Sequence, residues 1–114
     1  MTNYAPGDVL LLAFPFTDQG RAKQRPALVL LDTGDEDVVV ARITGATARD
    51  QHDVTLLDWE AAGLILPSSA RAHKVATVAK SLVRGRLGRL TVRDRDLVRQ
   101  ALQRAFAWVM ADPR

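Results

Sequence analysis

A chain of 114 residues accommodates one domain and leaves no room for a second core. Its apolar content of 47% is enough for a real core and excludes disorder, although burial at this size is partial and a second copy is a common remedy. The net charge of +3 conceals a split: residues 1–60 carry 5 basic and 10 acidic side chains, and residues 61–114 carry 11 basic and 3 acidic. A split of this kind points to a polyanion on one face and an acidic protein partner, or else to solvated arginine-rich helix faces. The absence of cysteine excludes disulfides and thiolate metal sites, and His52 and His73 are too few for a multi-histidine centre, so no cofactor or metal is expected. There is no basic-then-apolar N-terminal signal pattern, and the longest apolar run, Val9 to Phe16, is far short of a membrane span. A cytoplasmic location without a membrane partner is expected.

Asp8 to Phe14 predicts a first strand, ended by Phe14-Pro15-Phe16 because proline cannot donate to a ladder. Thr17 to Gln24 is polar, contains Gly20 and reads as a loop. Ala27–Asp32 is a continuous apolar run after Pro26 and predicts a second strand. A turn at Gly34 leads to a valine-rich third strand from Asp37 to Thr44. After a polar loop, His52 to Leu57 predicts a fourth strand. Trp59 to Ala62 suggests one helical turn, started by Asp58 and stopped by Gly63. Ser69 to Val78 alternates and predicts a fifth strand; Ser81 to Leu90, with Gly85 and Gly88, looks irregular. The last element is an amphipathic helix: Thr91 is a good N-cap, Asp94 resembles the second half of a capping box, and Leu97, Val98, Ala101, Leu102, Ala105 and Val109 recur at helical spacing. Arg93, Arg95, Arg99 and Arg104 take the other face, and Pro113 closes the chain. Short strands with glycine and proline turns plus one helix predict a mainly β, α+β domain over residues 1–114: a small β-barrel with a C-terminal helix packed on it.

Several short motifs occur in a specific order: Gly7-Asp8-Val9; Gln24-Arg25-Pro26-Ala27 before an apolar strand; Ile43-Thr44 at a strand end; Pro67-Ser68; Arg71-Ala72-His73-Lys74; Lys80-Ser81-Leu82; Leu87-Gly88. In that order and spacing, from about Pro6 through the C-terminal helix, the chain resembles the MazF/PemK family of toxin endoribonucleases. The resemblance implies an SH3-like barrel, a homodimer, and metal-independent cleavage of single-stranded RNA such as mRNA, in which the ribose 2′-hydroxyl attacks the adjacent phosphate. It also implies a cognate antitoxin whose flexible, often acidic tail covers the active groove. The family's motif arginine falls on Arg25, its strand-end threonine on Thr44 and its later arginine on Arg71. Two positions depart from the pattern: Gly20 stands where many members have glutamate, and His73 where some have aspartate.

The residue types suit that chemistry. Internal attack on a phosphodiester needs a base for the 2′-hydroxyl proton, an acid for the leaving oxygen and donors for the charged phosphate. Arg25 can fork onto phosphate oxygens, Thr44 offers a hydroxyl on a rigid strand end, and a histidine such as His73 suits acid or base work near neutral pH. Arg25, Thr44 and His73 are therefore the catalytic candidates, with the division between acid and base left open. Lys23, Arg71, Lys74 and Lys80 are the candidates for binding RNA. The alternative function is a non-catalytic, CcdB-like poison of DNA gyrase on the same barrel, which would use an aromatic near the C-terminus such as Trp108; Trp108 is equally placed to be a core or dimer residue. His52, beside Asp53, has only a structural reading.

Overall fold

The computed structural model describes residues 2–18 and 21–110; Gly20 and Pro113 lie outside them. Six strands, β1 (Asp8–Asp18), β2 (Arg21–Leu31), β3 (Asp37–Thr44), β4 (Asp53–Thr55), β5 (Ser69–Ala79) and β6 (Val83–Arg89), form one sheet in the order β4-β5-β3-β2-β1-β6. Every pairing is antiparallel. The edge strands, β4 and β6, share no ladder, so the sheet is not closed by hydrogen bonds. The helix α1 (Val92–Ala105) follows, then a short turn of helix, α2 (Ala107–Met110). Mainly β architecture with one C-terminal helix is the class the sequence predicts. None of the helices among the described residues is long and apolar enough to cross a membrane.

Both faces of the sheet are buried, and alternation along each strand separates two cores. Toward α1, Val9, Leu28, Ala41, Ile43, Ala70 and Ala72 pack with Val98 and Ala101 of the helix. On the opposite face, Leu10, Leu12, Ala27, Val29, Val38 and Val40 form a second cluster, capped by Tyr4, Val78 and Val83. This explains why the first three strands read as unbroken apolar runs.

Three strand expectations need correction. Residues 21–24 are not loop: β2 begins at Arg21 and pairs with β1 as far as Asp18. Pro15 does not end β1, because the register shift between Phe14 and Thr17 leaves residues 15 and 16 without partners, the place where a ladder tolerates proline. Pro26 stands opposite Leu11 just outside the β2–β3 ladder, which begins at Ala27, so β2 is paired there on one side only. The segment after Ser81 is not irregular either. It forms β6, whose ladder with β1 slips twice near Gly85 and Gly88, and that hides its periodicity in the sequence.

The helix start also differs from a capping box. Thr91 is the N-cap, but its hydroxyl donates to Asp58 Oδ2 at 2.6 Å and not to the helix. Asp94 is wholly buried and accepts the N–H groups of Leu57 (2.9 Å) and Asp58 (2.8 Å). A carboxylate from the helix thus fills the hydrogen-bonding needs of a distant turn, tying α1 to the β4–β5 connection. Within that connection a turn closes with the Ala62 N–H donating to the Asp58 carbonyl and ends at Gly63, whose φ of +87° favours glycine. A Cβ on Gly63 would stand 2.0 Å from the Leu87 carbonyl oxygen, so this backbone-to-backbone approach to β6 admits no larger residue. At the other end, α1 stops at Phe106, and Trp108 is 81% exposed, which removes it from the core.

Lys80 closes the far end of the sheet. Its Nζ lies 2.9 Å from Asp32 Oδ1, and both side chains are almost fully buried. The Asp32 carboxyl is held down at about 2 by the Lys80 hydrogen bond first and the Tyr4 N–H second, against a smaller opposing push from burial. Asp58 is likewise at about 2, held chiefly by Arg93 and then by the Thr91 hydroxyl. A carboxyl depressed in the folded state stabilises it above the unfolded value near ~3.9, and that contribution disappears as pH falls through the folded value. The urea midpoint should therefore drop between about pH 4 and pH 2, and Asp32→Asn should flatten the drop. An equally steep loss in the variant would show that Asp32 is not among the groups responsible.

Candidate functional site

The pairing of β2, β3, β5 and β4 aligns two rows of side chains on the face away from α1. The inner row is Ala27, Arg42, Arg71 and Asp53, each directly opposite the next. The outer row contains Thr44, Ser69 and Thr55. Arg25 lies two residues beyond Ala27 on β2, and Thr44 two beyond Arg42 on β3; continuing the register puts Arg25 opposite Thr44. Alternation from Ala27 and Val29 sets Arg25 on the same face. The rows begin where the second apolar cluster ends, so that face changes from core to cationic track along the strands.

Arg25 is exposed, with no ion-pair or hydrogen-bond partner among the described residues. Thr44 is half-buried, and its Oγ1 accepts the Ala46 N–H at 3.2 Å. That bond fixes the side chain against the turn and leaves the hydroxyl proton free to donate. Arg71 is held from the side: its Nε donates to Asp53 Oδ1 at 3.0 Å, and the Asp53 side chain is 2% exposed. Asp53 Oδ2 also accepts the N–H groups of Arg49 (2.9 Å) and Asp50 (3.2 Å). Burial pushes the Asp53 carboxyl up, but the Arg49 N–H, the Arg71 guanidinium and the Asp50 N–H together outweigh it and keep the carboxyl below its ordinary value. One acid thus orients Arg71 while the terminal nitrogens of the guanidinium remain able to donate.

His73 sits in a bulge. The β3–β5 register jumps from Arg42↔Arg71 to Ala41↔Val75, so residues 72–74 have no partner on β3, and the Ala72 N–H donates to the His52 carbonyl at 3.1 Å. Arg71 faces away from α1 and Ala72 toward it, whereas Val75 pairs with Ala41 of the α1 side, so the bulge breaks the alternation between Arg71 and Val75. The His73 ring packs on His52, centroids 5.7 Å apart and tilted by 50°, and the Nδ1 of each ring is buried without a hydrogen-bond partner among the described residues. Lys74 is exposed in the same bulge, and Lys23 is exposed on β2 two residues from Arg25. Lys80 is elsewhere: it follows Ala79, which pairs with Asp37 at the end of β3 remote from Thr44, and its ammonium is bound to Asp32. The sequence offers no functional reading of Arg42 or Asp53, and only a structural one of His52. The signal for Arg42 was only a charged residue two before Thr44 inside a valine-rich strand; nothing in the sequence pairs Asp53 with Arg71.

Much of the C-terminal basic charge is engaged structurally. Arg86 and Arg89 approach the buried Asp8, Arg93 pairs with Asp58, and Arg99 with Asp96. A cavity of about 750 Å³ lies between α1 and the β1–β2 side, lined by Pro6, Leu30, Leu90, Val92 and Leu102 among others. It includes none of the two rows. A groove for small molecules is therefore separate from the cationic track, and the track is the better candidate because an extended polyanion needs a surface more than a cavity. Among the described residues no three histidine or acidic side chains come together as a metal site.

The model of the PemK-like, MazF-like toxins of type II toxin–antitoxin systems matches residues 5–106. The chain belongs to the PemK/MazF toxin family. Solved structures share the fold. An endoribonuclease from a mycobacterial species is 20% identical with a TM-score of 0.73, over 94% of each chain. The Mycobacterium tuberculosis toxin MazF-mt6 is 20% identical with a TM-score of 0.72, over 88% of this chain and 96% of the other. A chain of the Deinococcus radiodurans MazE–MazF structure is 19% identical with a TM-score of 0.73, over 93% and 98%. No curated protein matches the chain. Membership in the PemK/MazF family gives no support to the gyrase-poisoning alternative.

If Asp53 orients Arg71, their contributions to stability must be coupled. Asp53→Asn and Arg71→Gln should each lower the urea midpoint, and the double variant should fall short of the sum by on the order of 1 kcal/mol, as for residues sharing a hydrogen bond. Strict additivity would mean that the link does not hold the arginine.

Proposed function

We propose that the chain is a toxin endoribonuclease that cuts single-stranded RNA by attack of a ribose 2′-hydroxyl on the adjacent phosphate, with no metal ion. The observation that carries the reading is an exposed Arg25 without an ion-pair partner among the described residues, two residues from Ala27 on the face that also carries Thr44, in a PemK/MazF chain. Arg25 forks onto the scissile phosphate and stabilises the charge that grows there, while the Thr44 hydroxyl donates from a position already fixed by the turn. Arg71, steadied by Asp53, holds the phosphate from the β5 side. His73, in the adjacent bulge, moves the proton that an acidic residue moves in some relatives, and Lys23 and Lys74 contact the RNA backbone. The need for a 2′-hydroxyl makes DNA a non-substrate.

The same reading assigns a cytoplasmic homodimer and a cognate antitoxin. The exposed Ile65, Val92 and Trp108 favour coverage by a second chain in so small a domain. An antitoxin segment rich in acidic residues would compete with RNA for the arginines of the two rows.

Purified protein incubated with a long single-stranded RNA in excess chelator should produce defined fragments, and Arg25→Ala and Thr44→Ala should each slow cleavage by ~10² or more while staying folded. Intact RNA in chelator that is cut once one divalent metal is restored, or folded variants with full activity, would overturn the mechanism.

His73→Gln separates chemistry from binding. The expected result is cleavage at saturating RNA slowed by ~10², with RNA affinity nearly kept. Weaker binding with an unchanged saturating rate would make His73 a backbone contact and leave the proton to another group.

A further inference from the structure

We propose that Arg42 is a second RNA-phosphate anchor, binding the phosphodiester next to the one held at Arg25; this rests on the endoribonuclease reading of the same face. Arg42 is exposed although it stands between the buried Ala41 and Ile43, and it has no ion-pair or hydrogen-bond partner among the described residues. It lies directly opposite Arg71 on β5, and like charges directly opposite in an antiparallel pair are unfavourable. Asp53 relieves only one of the two, because its carboxylate is turned to the Arg71 Nε and to two backbone N–H groups. The uncompensated charge beside it is what a bound anion would neutralise. On its other side Arg42 faces Ala27, whose small side chain leaves the guanidinium room to reach along the face.

The separation suits a polynucleotide. Arg25 and Arg42 are one strand and two residues apart, which places their Cα atoms about 8 Å from each other for strands about 4.8 Å apart with a rise of about 3.4 Å per residue. Two long side chains at that spacing reach successive phosphates of one extended strand, with the Thr44 hydroxyl beside the scissile phosphate held at Arg25. Such a contact carries charge and no base information, so Arg42 contributes to affinity for any sequence. A structural role for Arg42, its aliphatic stem covering the end of the Val38–Val40 cluster, makes a different prediction: it would affect folding and leave salt dependence alone.

Two readouts decide it, both on the full chain across a series of salt concentrations: binding to a single-stranded oligonucleotide with 2′-fluoro riboses, which lacks the attacking hydroxyl, and kcat/KM on the matching RNA. Arg42→Gln should weaken binding about tenfold, lower kcat/KM to match, and reduce the slope of log affinity against log salt by about 0.7, the value for one phosphate contact on a single strand. Arg42→Lys should restore the slope. A slope and affinity equal to the wild type would overturn the proposal, as would a loss confined to the melting midpoint. Wild-type protein that binds the oligonucleotide but cuts no RNA would overturn the endoribonuclease reading instead, and the binding arm would still judge Arg42.

Discussion

The constraint on which this structure depends is that one sheet buries both of its faces. Leu28 and Ile43 must meet α1 while their neighbours Ala27, Val29 and Val40 must meet the second cluster. A slip of one residue in β2 or β3 would exchange the two sets, so the register is strongly determined. That register is what brings Arg42 to Arg71 and sets Arg25 and Thr44 on the same face. The cationic rows are therefore continuations of a hydrophobic ladder: the same alternation that sends Val29 and Val40 into a core sends Arg25 and Arg42 onto the surface beyond it. A chemically useful arrangement on rigid strands costs no loop ordering.

Carboxylates complete what the cores begin. Asp94 reaches from α1 to the turn after β4, Asp32 locks Lys80 at the far end, Asp8 faces Arg86 and Arg89, and Asp53 gathers two backbone N–H groups and Arg71. Four of these residues belong wholly or nearly to the interior, where an ionised acid is tolerated only when donors surround it. The charge split between the two halves of the chain thus has a largely architectural meaning. Acids from the first half meet bases from the second across the fold, and Arg25 and Arg42, from the acidic half, have no acid to hold them among the described residues.

Much of this was legible beforehand. The valine-rich β3, the alternation of β5 and the helical spacing from Leu97 to Leu102 each report a local period, and local periods survive folding. So do the order and spacing of the Arg25, Thr44 and Arg71 motifs. The failures share a cause as well. β6 carries Gly88 where it packs backbone to backbone against Ala62 and Gly63, and β2 extends back to Arg21 by pairing with β1 and not with β3. Asp94 looked like a capping residue because its spacing from Thr91 fits one, yet Leu57 and Asp58 lie nearer to its carboxylate once the helix docks.

The amino-acid sequence by itself determined the class of fold, the positions of most strands and the C-terminal helix, because each depends on side-chain type and on spacing along the chain. Tertiary structure alone decided which of the candidate residues share a surface. Arg42 became a neighbour of Arg71, and His73 of His52, through a bulge in the β3–β5 ladder, while Lys80, similar in charge and motif, was carried to the opposite end and enclosed with Asp32. Cross-strand register and the location of a bulge arise from packing summed over the whole sheet, and no local stretch of sequence contains that sum.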